Sequence, residues 1–155
     1  MRAWRVERHG GSDVLARVEV PLPEPGPLEA RVRVEAVGLN HLDVWVRKGV
    51  PGHKFPLPLV PGSDVAGRID AFGPGAERAL RESPESKDEL PLGAPVLLNP
   101  GLSCGRCEAC LSGQDPLCRH YGILGETRDG SCAEYVCVPI VNLIPRGKLT
   151  AAEAA

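Results

Sequence analysis

Four of the six cysteines crowd into one short stretch. Cys104, Cys107, Cys110 and Cys118 are spaced C-x2-C-x2-C-x7-C, while Cys132 and Cys137 stand apart. Two residues between cysteines let a tight turn aim both sulfurs at one centre. Gly101, Gly105 and Gly113 supply the conformational freedom such wrapping needs. Four thiolates around one ion make a closed tetrahedral site, which is a structural zinc rather than a catalytic one. Arg106 and Arg119 flank the cluster and offset the excess negative charge of four thiolates on Zn²⁺. An iron–sulfur cluster is an alternative, but the ferredoxin-type run ends x3-C-P, and here the last interval is seven and Arg119 follows. Disulfides would need an oxidising compartment. Coincidence of four free thiols is the plain alternative.

The cluster sits in a chain of 155 residues, for which one compact domain is the prior. Eighteen glycines and sixteen prolines leave little room for long helices and favour short strands joined by turns. Few aromatics are present, so the core must rest on Val, Leu, Ile and Ala. The net charge of −2 and the lack of a basic block argue against nucleic-acid binding. No apolar run approaches the roughly 20 residues that span a bilayer. Residues 1–10 carry charges throughout and no apolar segment, so no secretory signal is visible. A reducing, cytoplasmic location is the expectation, and it favours metal over disulfides.

Val18–Val20 and Arg31–Ala36 alternate as half-buried strands do. Pro21–Pro27, with four prolines, is a loop. Asn40–Gly49 reads as a short helix: Asn40 caps it, Asp43 is the reciprocal acid, Lys48 suits its negative end and Gly49 stops it. Asp64–Phe72 is strand-like but weakened by Gly67. Pro95–Leu98 and Ala133–Val138 are further strands. Glu77–Glu89 carries eight charges in thirteen residues and reads as a solvated surface loop. The resulting picture is an irregular antiparallel barrel with an excursion, about residues 100–120, folded around its own metal. Thr150–Ala155 has the form T-x-x-E of a capping box. A helix of one turn is costly to nucleate, so the chain is expected to continue past it; a frayed tail is the alternative.

The four-cysteine lobe, Val37-Gly-Leu-Asn-His-Leu-Asp43, Pro61-Gly-Ser-Asp-Val-Ala-Gly67 and Ala133-Glu-Tyr-Val136 together carry a resemblance. They resemble the N-terminal catalytic domain of the medium-chain dehydrogenase/reductase superfamily, which includes zinc alcohol dehydrogenases and quinone reductases. The resemblance implies a mainly β, GroES-like barrel over residues 1–149. Residues 150–155 would then start a helix leading to a Rossmann domain that is missing here. No G-x-G-x-x-G occurs; Gly73-Pro-Gly75 lacks a third glycine and is expected to lack a following helix, so it reads as a turn.

The departures from the family pattern bear on function. In the zinc enzymes a Cys-His-[Thr/Ser]-Asp segment supplies a catalytic zinc ligand; here the cysteine position is Asn40 and the hydroxyl position is Leu42. The family's Gly-His-Glu becomes Gly62-Ser63-Asp64. Asn and Ser are poor zinc donors beside thiolate and imidazole. The resemblance therefore implies a structural zinc retained and a catalytic zinc lost, as in metal-free quinone and enal reductases. Asn40, His41, Ser63 and Asp64 are the candidate catalytic residues, with His41 at the family position that approaches an NAD(P) pyrophosphate. Asn40 has the competing role of helix cap, His41 that of an exposed helix-start residue, and Asp64 that of a turn acid. Trp45 reads as core or as a wall of the substrate cleft. His9, His53 and His120 read as surface residues, and Cys132 and Cys137 as buried small apolar groups.

The implied activity is hydride transfer to or from a small carbonyl, alcohol, alkene or quinone, in a full-length enzyme for which a homo-oligomer is one expected assembly, with this stretch inactive alone. Two other readings stay open. One is a true zinc alcohol dehydrogenase that recruits His41 and Asp64 as ligands. The other is a non-enzymatic zinc-stabilised binding module.

Overall fold

The computed structural model describes residues 1–82 and 90–155. An antiparallel pair, β1 (Arg2–Val6) and β2 (Leu15–Glu19), comes first. There follow β3 (Glu29–Gly38), α1 (His41–Lys48), β4 (Asp64–Phe72), α2 (Ala76–Glu82) and β5 (Pro95–Leu98). The excursion carries β6 (Gly101–Leu102), α3 (Glu108–Leu111) and β7 (Gly122–Ile123). The chain closes with β8 (Tyr135–Pro139), β9 (Leu143–Pro145) and α4 (Ala151–Ala154).

Strands β8, β3, β4, β5 and β9 form one antiparallel sheet in that order. Bridges from Ala3 to Ala133 and from Val6 to Leu59 fasten β1 to the segments that precede β8 and β4. The mainly β, antiparallel architecture expected from the sequence is thus the one adopted. Its core is aliphatic: Val32, Val65, Ile69, Val96, Leu124 and Val138 are buried in one cluster. Each such side chain contributes roughly 1.5–3 kcal/mol relative to exposure. On β3 the alternation sends Ala30 and Val32 inward, while Arg31 turns outward to pair with Asp70 at 2.6 Å.

Helix α1 begins and ends as its sequence predicts. Asn40 is the N-cap, the Asp43 carboxylate accepts from the Asn40 N–H at 2.7 Å, and Gly49 stops the helix with φ of 80°. Helix α4 is likewise capped, the Glu153 N–H donating to the Thr150 hydroxyl.

Two expectations need correction. The charged stretch from Glu77 does not begin as a loop: it forms α2 through Glu82, and the remainder falls outside the described residues. Ion pairs four residues apart, Glu77–Arg81 and Arg78–Glu82, line the outer side, while Ala76 is buried and Ala79 and Leu80 pack on the core. Consequently a helix does follow Gly73-Pro-Gly75. The third glycine is still missing, and Gly75 has φ of 77°.

Gly67 is not a weakness in β4 but a requirement. A Cβ there would lie 2.2 Å from the Arg33 carbonyl oxygen of β3 and 2.8 Å from a Val32 methyl. Strands β3 and β4 approach this closely where the ladder shifts register between Val34 and Ala36. Gly67→Ala is expected to destabilise the fold by about 1–3 kcal/mol, read as a lowered urea midpoint with an unchanged slope.

Candidate functional site

The register of β3 and β4 assembles the polar cluster. Gly38 pairs with Asp64, so Asn40, just past the end of β3, meets Ser63, just before β4. The Asn40 amide nitrogen donates to Asp64 Oδ2 at 2.7 Å and to Ser63 Oγ at 3.3 Å. Capping and cross-linking therefore coexist in one residue. Ser63 is 4% exposed, Asp64 half-buried, and His41 exposed at the first position of α1. The structure thus brings Asn40, Ser63 and Asp64 into contact. His41 borders them without a hydrogen bond to them and leans instead on Trp45, ring centroids 5.2 Å apart.

Asp43 does more than cap α1. Its Oδ2 accepts from the Asn40 N–H, and its Oδ1 accepts from the Gly62 N–H at 2.8 Å. One carboxylate therefore pins the start of α1 to the loop that carries Ser63 and Asp64. Gly62 itself has φ of 102°, and a Cβ there would lie within 2.9 Å of Ser131 Oγ and Cys132 Sγ. That closeness lets the 130–132 segment pair with it, Ser131 N–H to Gly62 carbonyl at 3.0 Å and Cys132 N–H to Pro61 carbonyl at 2.9 Å. Sequence reasoning found Asp43 only as a capping acid and missed this junction, because its partners are distant in the chain.

Cys137 is buried as expected, whereas Cys132 is only partly buried. Burial, and secondarily the charge of Asp43, pushes the Cys132 thiol up to about 11. Burial, and then Glu29, does the same for Cys137. The three candidate surface histidines are all exposed. Even so, His9 packs edge-on to Phe55, and His53 lies 3.5 Å from Glu126.

The excursion gathers its four cysteines as predicted. Cys107 caps α3, which carries Cys110, and Cys118 follows a tight turn over Asp115–Leu117. Gly105 and Gly113 adopt φ of 67° and 72°, the left-handed turns their positions require. Gly101 serves differently: it lies in β6, which pairs with β7 to clamp the base of the lobe. Buried Asn142 fastens that base, its amide donating to the Asn99 and Gly101 carbonyls at 2.8 and 2.6 Å.

All four sulfurs lie within 4.8 Å of one another, with Cys104–Cys110 at 3.9 Å and Cys107–Cys110 at 3.4 Å. Zinc–sulfur bonds of about 2.3 Å in a tetrahedron require sulfurs about 3.8 Å apart, so the cluster fits a structural zinc. At Cys104 the backbone N–H of Arg106 is the main influence drawing the thiol down to about 6. The backbone N–H groups of Cys104 and His120 each lie 3.4 Å from Cys118 Sγ. Among the described residues, no other group of three or more His, Cys, Asp or Glu side chains is placed to hold a metal.

The comparisons with known proteins agree in direction. Residues 26–148 match the family model described as the alcohol dehydrogenase GroES-like domain. An NAD-dependent alcohol dehydrogenase of Sulfurisphaera tokodaii is 32% identical, the alignment covering all of this chain and 43% of that protein. The starvation-sensing protein RspB of Escherichia coli is 35% identical over 83% of this chain and 34% of its own length. A crystal structure of an NAD-dependent alcohol dehydrogenase superposes with a TM-score of 0.85 at 51% identity, covering 97% of this chain and 41% of that one. A cobalt- and zinc-bound thermostable alcohol dehydrogenase from Pyrobaculum aerophilum gives 0.82 at 34% identity, covering 99% and 43%. The chain therefore spans less than half the length of these relatives.

Cys110→Ser is expected to abolish tight zinc retention, read by metal analysis after dialysis, with the barrel's circular dichroism kept because its strands lie outside the lobe. In chelator-treated protein, iodoacetamide at pH 8 is expected to label the lobe thiols and spare Cys132 and Cys137. A thiol titrating near 11 is about 1000-fold short of full thiolate at that pH. Peptide mass spectrometry reads the outcome.

Proposed function

Because the chain belongs to the alcohol dehydrogenase GroES-like domain family, we propose that it is the N-terminal substrate-side domain of an NAD(P)-dependent oxidoreductase. In this reading residues 1–149 form the catalytic domain, and residues 150–155 lead toward a nucleotide-binding domain. The lobe holds one structural zinc through Cys104, Cys107, Cys110 and Cys118. The reaction is hydride transfer to or from a small carbonyl, alcohol, alkene or quinone.

The observation that carries the metal-free reading is the double hydrogen bond of Asn40. Its amide nitrogen joins Ser63 and Asp64 as a bound cation would, tying α1 to β4. An amide, a hydroxyl and one carboxylate are a poor donor set for zinc. These residues do not fit a catalytic zinc. The nicotinamide cofactor would supply the hydride chemistry when bound, and His41, exposed at the start of α1, is the residue assigned to its pyrophosphate by the family resemblance.

The chain's own groups orient the acceptor. Ser63 Oγ accepts from Asn40, which leaves its O–H to donate to a substrate oxygen. Asp64 holds Asn40 with one oxygen, which leaves the other to accept from a substrate hydroxyl. Several relatives are alcohol dehydrogenases, which favours a second reading: a zinc alcohol dehydrogenase in which His41 and Asp64 serve as ligands.

Metal analysis separates the two. The protein is expected to hold one zinc per chain, and Asn40→Cys combined with Ser63→His is expected to raise this to two. Two zinc ions in the unmodified protein would sink the metal-free reading. The 155-residue chain is expected to show no turnover with either nicotinamide dinucleotide; measurable turnover would sink the assignment to one domain of a larger enzyme.

A further inference from the structure

Three guanidinium groups meet one carboxylate on the outer face of the main sheet. Arg33 and Arg68 stand directly opposite each other across β3 and β4, a placement in which like charges repel. Glu35 occupies the point where the ladder shifts register between Val34 and Ala36. Its Oε1 accepts from Arg68 Nε at 2.9 Å, and its Oε2 accepts from Arg146 Nη1 at 2.7 Å. Arg33 is left 3.8 Å from Oε1, too far for a hydrogen bond. Two other acids of these strands are already engaged, Asp70 with Arg31 and Glu29 with Arg128. One negative charge therefore serves three positive ones.

Arg146 carries the imbalance inward. Only 9% of it is exposed, and its Nε–H has no acceptor among the described residues. Leaving a buried donor unpaired costs more when the group is charged. The groups around this point are held in place. Arg68 Nη1 donates to the Gly93 carbonyl at 3.0 Å, and the Arg146 backbone N–H donates to the Pro95 carbonyl at 3.1 Å.

We infer that Arg33, Arg68 and Arg146 bind a small phosphate dianion beside Glu35. Its two charges answer the two that Glu35 leaves over, whereas a monoanion leaves one uncompensated. The planar guanidinium fork matches phosphate oxygens in pairs. Arg33 and Arg68, with side chains 52% and 41% exposed, form the open side of the site, and Arg146 forms the buried side. A bound phosphate ties β3, β4 and the segment after β9 together. None of these residues belongs to the Asn40–Ser63–Asp64 cluster, so the inference stands apart from the proposed hydride transfer.

The probe is inorganic phosphate at pH 8, titrated against sodium chloride at matched ionic strength, with calorimetry and the thermal midpoint as readouts. The expected result is saturable binding of one phosphate per chain and a midpoint that rises with phosphate and not with chloride. Arg33→Gln and Arg68→Gln are each expected to weaken binding about tenfold, the factor that a lost hydrogen bond to a charged group carries. Arg33 makes no side-chain hydrogen bond among the described residues, so its replacement removes no contact on which the fold depends. Arg17→Gln, at an exposed position of β2, is expected to leave binding unchanged. Phosphate also stabilises folded proteins by exclusion from their surfaces. That effect does not saturate and acts on every variant alike. A rise of that kind, or saturable binding that survives in both Arg33→Gln and Arg68→Gln, overturns the inference.

Discussion

The pairing of β3 with β4 is the constraint on which the candidate site depends. Gly38 stands opposite Asp64, and the strands approach so closely at Gly67 that a methyl group would strike the Arg33 carbonyl. This pins the loop after β3 and the loop before β4 to the same end of the sheet. A shift of one residue would turn the side chains of β4 to the opposite face, burying Asp64 or stranding Ser63. The aliphatic cluster beneath, with Val65 and Ile69 facing Val32, resists that slip because every alternate position of β4 would lose its burial.

On this frame Asp43 acts as a clamp. A carboxylate accepting two backbone N–H groups satisfies donors that a helix start and an irregular loop would otherwise leave unpaired. It also brings negative charge toward Cys132, whose thiol is already held neutral by burial. The polar cluster thus gains a rigid first turn of α1 on one side and a glycine-packed junction of Gly62, Gly125 and Gly130 on the other. The four-cysteine lobe is a separate solution to the same problem of order. Its turns bury little apolar surface, with Leu111 and Leu117 left exposed. The gathered sulfurs and the β6–β7 clamp order what packing does not.

Reading the sequence located most of this but not all. The four-cysteine spacing, the caps of α1 and α4, and the strands 64–72 and 95–98 were legible because each rests on local signals. Strands β6, β7 and β9 were not identified because they are only two or three residues long, and β1 was missed because its stretch is interrupted by charged residues. The stretch after Glu77 misled because charge density signals solvent, and a helix with one buried edge satisfies that signal as well as a loop does. Trp45 misled in the other direction, since periodicity places an aromatic on a helix face without saying whether that face is covered.

The sequence by itself determined the four-cysteine spacing of the lobe, the mainly β class and the helix boundaries around Asn40. These follow from residue type and spacing along one stretch of chain. Only the tertiary structure decided that the Asn40 amide reaches across to Ser63 and Asp64, that Asp43 joins two loops, that Gly67 is obligatory, and that Trp45 faces outward. Each of those depends on strand register and on the approach of segments far apart in the chain. Local propensity carries no information about such distances.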